Sequence, residues 1–128
     1  MSRSIERGKP KETEAQIQRA ILEYLKLKGV FCWRQNSGAF RLHGAGGDRF
    51  VRAGFPGISD ILGILRLAVQ LDGPTQRWYN GRFLAIEVKR PGQKPTPDQQ
   101  AFLAAVKANG GVAFVATSVE DVRKELGL

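Results

Sequence analysis

Glu87 and Lys89 stand two residues apart in FLAIEVKRPGQ, residues 83–93, inside a run that otherwise reads as a buried strand. Phe83 to Val88 is rich in apolar and β-branched types that suit a pleated, half-buried surface. Alternation puts Leu84, Ile86 and Val88 on one face. Phe83, Ala85, Glu87 and Lys89 take the other, with the two charges roughly 6.6 Å apart along the strand. If both faces are covered, those charges require partners there. A second carboxylate, Asp60, precedes the apolar run ILGIL. The turn-rich segment DGPTQRWYNG between the two runs predicts an antiparallel hairpin, which brings Asp60 to the Glu87 end.

Two carboxylates and a lysine at one end of a sheet suit phosphodiester hydrolysis. Mg²⁺ takes one or two protein carboxylates and leaves its other positions to water and phosphate oxygens, so Asp60 and Glu87 are candidate metal ligands. Such a metal lowers the pKa of a bound water and offsets charge on the phosphorane. Lys89, on the same face, is placed to orient or deprotonate that water and to hold the scissile phosphate. Nothing points to a Ser or Cys nucleophile with a base. His43 is the only histidine, in a glycine-rich segment that favours a loop residue over a ligand or base.

The elements that must position these groups follow from the periodicity. Thr13 and Gln16 form a capping box, and Ile17, Ala20, Ile21, Tyr24 and Leu25 repeat at helical spacing until Gly29. Glu14 extends that stripe at the helix start, where it can reach a metal directly or through water; its plain alternative is a first-turn acid on the helix dipole. Val30 to Arg34 reads as a strand. Residues 36 to 59 read as a long polar connection, and four arginines against Asp48 leave residues 34–55 at +3. After ILGIL the chain either continues as a strand through LAVQL or bends away at Arg66. Beyond the basic turn RPGQKP, Thr96 and Gln99 form a second capping box with Pro97 at the first helical position. Val112 to Ala116 is a short strand and Val119 to Leu126 a final helix. The order is α-β-β-β-α-β-α.

The chain of 128 residues, 42% hydrophobic, is large enough for one core. We expect a basic N-terminal arm over residues 1–11 and a single domain over 12–128. Lys plus Arg number 20 against 12 Asp plus Glu, and the formal +8 favours a polyanionic partner. One cysteine, Cys32, excludes an intrachain disulfide and a Cys-based zinc site. The charged N-terminus and the shortness of the apolar runs predict a cytoplasmic, intracellular protein with no membrane partner.

These residues together resemble the VRR-NUC domain of the PD-(D/E)XK nuclease superfamily. The resemblance is carried by Glu14, Ile17 and Gln18 in ETEAQIQ, by Arg34, Asn36, Ser37 and Gly38 in WRQNSG, by GISD ending in Asp60, by Glu87 and Lys89 in EVK, and by Gln99 in TPDQQAFL. It spans residues 12 to 120 and implies an α/β fold with a restriction-endonuclease-like core, a central mixed sheet flanked by helices. It also implies Mg²⁺ dependence, with Mn²⁺ able to substitute, and activity on DNA, often branched. Carried over, Asp60 and Glu87 are metal ligands, Lys89 the catalytic lysine, Glu14 the helix acid and Gln99 an auxiliary polar residue. Ser59 stands where the superfamily name has proline, and the Asp60–Glu87 segment is long.

The expected function is a metal-dependent endonuclease selective for Holliday junctions or flaps, acting as a homodimer with Arg77 to Gly81 as hairpin tip and interface. Expected DNA contacts are Arg34, Asn36, Ser37, Arg41, Arg49, Arg52, Arg90 and Lys94, although Asn36 and Ser37 equally suit a turn cap. Gln99 is also explained by its capping box, and Trp33, Trp78 and Tyr79 are expected to pack. The alternatives are a catalytically silent nucleic-acid-binding module of the same fold and a basic adaptor for another protein.

Overall fold

A computed structural model describes residues 10–35, 39–52, 54–70 and 77–128. Helix α1 (Glu14–Leu27) starts at Thr13, whose hydroxyl accepts the Gln16 N–H at 3.2 Å while Gln16 Oε1 accepts the Thr13 N–H at 2.8 Å. The chain leaves the helix through Gly29 at φ +76°, a left-handed conformation that glycine adopts without steric cost. Strands β1 (Phe31–Arg34), β4 (Ile61–Gln70), β5 (Arg77–Val88) and β6 (Val112–Ala116) form one sheet in the order β1-β4-β5-β6. The first two ladders are antiparallel and β5–β6 is parallel, so the sheet is mixed. The parallel pair is joined by α2 (Pro97–Ala108), as a crossover between parallel strands requires. Helix α3 (Val119–Leu126) closes the chain.

Alternation along β5 divides the core into two layers. Leu84, Ile86 and Val88 pack with Ile17, Ile21 and Leu25 of α1 and Val122 of α3. On the opposite face Ala85 joins Leu62, Ala113 and the α2 residues Leu103 and Val106. Ile21, Leu25, Leu84, Ile86 and Val122 are fully buried, each worth about 1.5–3 kcal/mol relative to exposure.

The α-β-β-β-α-β-α core is as expected, with two differences around it. Residues 39–52 are not wholly a polar connection: Ala39–Leu42 (β2) and Arg49–Arg52 (β3) pair antiparallel as a separate two-stranded ribbon. The period-2 signal in AFRL and RFVR was masked by the glycines between them. Of the two continuations open after ILGIL the chain takes the strand, and β4 runs through Arg66 to Gln70. Second, Arg77 to Gly81 is no hairpin tip, because it pairs with Gln70 to Arg66 inside the ladder. The Asn80-Gly81 pair suggested a turn, but cross-strand pairing with ten consecutive partners overrides that local preference. The connecting residues 71–76 lie outside the described residues, as do residues 1–9 of the expected arm.

Helix α3 shows how a polar side chain sets an element boundary. Ser118 Oγ accepts the Asp121 N–H at 3.1 Å, while Asp121 Oδ2 accepts both the N–H (2.8 Å) and the hydroxyl (2.7 Å) of Thr117. These donors hold the Asp121 carboxyl below its usual range. A depressed acid adds stability above its unfolded pKa and loses it as pH falls through the folded one. Asp121→Asn is therefore expected to lower the urea midpoint at neutral pH and to converge with the parent in strong acid; parallel curves at all pH values would contradict this.

Candidate active site

The site is built at the end of the β4–β5 ladder. Ile61 pairs with Ile86, so the next step of the register sets Asp60 opposite Glu87. Asp60 is held at both ends: its carbonyl accepts the Gln35 N–H at 2.7 Å, and its Oδ2 accepts the Val88 N–H at 2.8 Å. Lys89 continues the sheet by donating its N–H to the Ala116 carbonyl at 3.0 Å, which fixes the backbone that carries its side chain. Its Nζ lies 3.6 Å from Glu87 Oε1. The EVK spacing, two positions apart on a strand, is what turns both side chains to one face.

Glu87 is 1% exposed, and no donor comes within hydrogen-bonding distance of either carboxyl oxygen. Its pKa is raised from 4.5 to about 8. Burial is the main cause, followed by the charge of Asp60 and a hydrogen bond that the two carboxyls share when one is protonated. Lys89 opposes the rise, and the charge of Glu14 adds to it. An ionised carboxylate in such a place costs several kcal/mol unless a counter-charge meets it. A proton relieves the pair, and so does a cation seated between Asp60 and Glu87.

The donor chemistry fits a hard divalent ion. Asp60 and Glu87 offer carboxylate oxygens with free lone pairs, and Mg²⁺ requires few protein ligands beyond that. Among the described residues no three His, Cys, Asp or Glu side chains are grouped closely enough to hold a metal by themselves. Glu14 is half-buried in the first turn of α1 and acts on Glu87 through its charge.

The loop before Asp60 is pressed against α2. Gly57 has φ +73°, and a Cβ there would collide with the Asp98 carbonyl group and lie 2.6 Å from the amide nitrogen of Gln99. Only glycine permits that approach, and it sets the start of α2 beside the Asp60 loop. Gln99 Oε1 accepts the Thr96 N–H at 2.9 Å as part of the cap, which leaves Nε2 as the end able to face a substrate.

Two buried polar groups were named in the sequence without being given a role at the site. Gln18 is 8% exposed with Oε1 unpartnered, and Ser59 is fully buried with an unpartnered Oγ. Gln18 falls one turn after Glu14 and one before Leu22, between the stripe positions Ile17 and Ile21, so the helical period was the signal for it.

Among the expected DNA contacts, Arg34 is exposed at the end of β1, Lys94 is exposed, and Arg90 is half-buried. Arg90 lines a groove of about 790 Å³ with Lys11, Ile17, Pro91 and Val119, and neither Asp60 nor Glu87 lines it. Arg41, Arg49 and Arg52 lie on the β2–β3 ribbon, of which the backbone is described. Asn36 and Ser37 lie outside the described residues. His43 pairs with Asp48 at 2.8 Å, both exposed, as a loop residue would. Trp33, Trp78 and Tyr79 are exposed rather than packed. The β4–β5 hairpin extends past the helices that would have covered Trp78 and Tyr79, and Trp33 lies on the edge strand β1.

Sheet order and helices on both faces define an α/β domain that carries an Asp–Glu–Lys cluster at a strand end. The VRR-NUC domain family matches residues 12–120, and the chain belongs to that family. Family membership brings a nuclease-type function with DNA as the substrate class. No match to a curated protein or to a solved structure reaches significance. No described helix is long and apolar enough to cross a membrane.

The raised pKa of Glu87 has a measurable consequence. A raised acid contributes stability fully present below its unfolded pKa and lost as pH rises through the folded one. Without metal, the protein should therefore weaken between about pH 4.5 and 8 relative to Glu87→Gln, which stays neutral. Urea unfolding in EDTA at the two ends of that window reads the difference; an advantage of the variant that does not grow with pH would refute the assignment.

Proposed function

We propose that this chain is a divalent-metal-dependent DNA endonuclease whose centre is Asp60, Glu87 and Lys89. The observation that carries this reading is Glu87, buried without a hydrogen-bond donor, facing Asp60 and 3.6 Å from Lys89 Nζ. Asp60 and Glu87 would hold Mg²⁺, with Mn²⁺ as a substitute, and Glu14 would contribute through an intervening water. When bound, the metal supplies a more acidic water and positive charge at the scissile phosphate.

The protein's own groups have distinct parts. Lys89 holds a non-bridging phosphate oxygen and orients the attacking water, from a backbone fixed by its own sheet bond and with its ammonium 3.6 Å from Glu87. Asp60 is kept in one orientation by the Val88 N–H, so its second oxygen stays available. Gln99 Nε2 adds a polar contact from the start of α2. Direct attack of water leaves 5′-phosphate and 3′-hydroxyl ends.

Arg34, Arg90 and Lys94 are the described cations assigned to the DNA backbone. The β2–β3 ribbon brings Arg41, Arg49 and Arg52, and a two-stranded ribbon is one of the shapes a major groove admits. Asn36 and Ser37 precede that ribbon and complete the assigned contacts. The proposed substrate is branched DNA, a Holliday junction or a flap, and symmetric cutting of a junction favours a two-fold homodimer.

The test is incubation with labelled four-way junction, flap, single-stranded and linear duplex DNA in Mg²⁺, Mn²⁺ or EDTA. Cleavage should require metal and fall ~100-fold or more in Glu87→Ala and Lys89→Ala. Cutting that survives EDTA, or that Glu87→Ala leaves intact, overturns the assignment. Salt-sensitive binding with no cutting under any metal indicates the silent binding module instead.

A further inference from the structure

The sheet face that bears Glu87 is covered by α2 only in part. Residues paired across a ladder share a face, so Phe31, Ile64 and Phe83 form one row over three strands, and Trp33 lies in the next row with Leu62 and Ala85. Leu62 and Ala85 are buried under Leu103 and Val106. Phe31, Trp33, Ile64 and Phe83 are not: Phe31 is 68% exposed, and the others are exposed as well. Along β5, Tyr79 lies on the same face, separated from Phe83 by Gly81, which adds no side chain between the rings. The Arg66 guanidinium lies over the Tyr79 ring at 4.5 Å from its centroid.

From these placements we infer that this face is a base-stacking platform for unpaired nucleotides next to the scissile phosphate. The inference rests on the nuclease reading only for the position of the cleaved bond. Three observations favour DNA bases over another occupant. The exposed groups are chiefly aromatic rings, whose flat faces every base can stack upon. An arginine is stacked among them and the chain carries a formal +8, which suits a polyanion. The platform is also continuous with the site: Trp33 Nε1 donates to Gln35 Oε1 at 3.0 Å, and the Gln35 N–H donates to the Asp60 carbonyl at 2.7 Å. Trp33 pairs with Leu62, two residues along β4 from Asp60, or roughly 6.6 Å. That is the separation of neighbouring nucleotides in an extended strand. A single strand with its phosphate at Asp60, Glu87 and Lys89 would lay its next bases over Trp33 and Phe31. The preferred substrate is therefore DNA with an unpaired segment beside the cut, such as a flap, rather than a junction whose bases are all paired.

Trp78 supplies an internal control, being 62% exposed but on the opposite face, one residue out of phase with Tyr79. The experiment measures binding of fluorescent oligothymidine and of a blunt duplex of equal length in EDTA, for the full chain and for Phe31→Ala, Phe31→Leu and Trp78→Ala. Both Phe31 variants should bind oligothymidine about tenfold more weakly with duplex affinity little changed. Trp78→Ala should match the parent. Phe31→Leu separates stacking from simple apolar contact, because it keeps the apolar area and loses the ring. Parent-like binding by Phe31→Leu, or an equal loss on duplex, overturns the platform. So does a dimer, seen by sedimentation, that Phe31→Ala dissociates, since a second copy would then cover this face. Because Phe31 is largely exposed, equal urea midpoints verify that the variants are folded. Cleavage absent from every DNA with this binding pattern intact would remove the nuclease reading and leave the platform standing.

Discussion

Burial of the Glu87 carboxyl opposite Asp60 is the constraint around which the molecule is organised. A carboxyl without a donor at the end of a core strand destabilises the metal-free fold as soon as it ionises. The fold tolerates this because Leu84, Ile86 and Val88 anchor the same strand in the α1 and α3 layer. A rigid strand cannot turn the carboxyl out to water without giving up that packing. The strain is thus held at the point where a cation and a phosphate would relieve it, which is the usual location of strongly shifted acids.

Other features serve the same point. Asp60 is tied to Val88 and Gln35, so the two carboxyls face each other across a fixed ladder and not across a loop. Gly57 lets the loop before Asp60 lie against the first turn of α2, and the Thr96 cap holds Gln99 there. Glu14 enters from the start of α1, where its capping box fixes the helix end. Each group comes from a different element, and each element is fixed by backbone hydrogen bonds or a cap close to the functional side chain. The proposed reaction would then need little reorganisation of these groups.

Coverage of the sheet is uneven, and in the proposed reading that unevenness separates chemistry from recognition. Helix α2 packs on β5, β6 and Leu62 of β4 and leaves Phe31, Trp33, Ile64 and Phe83 of that face open. Asp60 and Glu87, the proposed centre, sit at the covered end, and the rings lie in the uncovered part. A carboxyl is tuned by being kept from water, whereas stacking on a base requires rings that water can reach. One sheet provides both because β4 and β5 continue well past the reach of α2.

Local chemistry made much of this legible in the sequence. The two capping boxes, the helical stripe of Ile17, Ile21 and Leu25, and the alternation around Glu87 are short-range patterns, and they located the helices, the central strand and the Asp60–Glu87–Lys89 set. Tertiary structure decided what depends on neighbours distant in the chain. The Asn80-Gly81 pair became strand because β4 offered a continuous partner. Trp33 and Tyr79 were left exposed because no helix reaches them, a fact their own identities do not contain. The β2–β3 ribbon depends on two four-residue strands finding each other across a glycine-rich segment. The shift at Glu87 came from burial above all, and burial is a property of everything packed around a side chain, which no residue specifies alone.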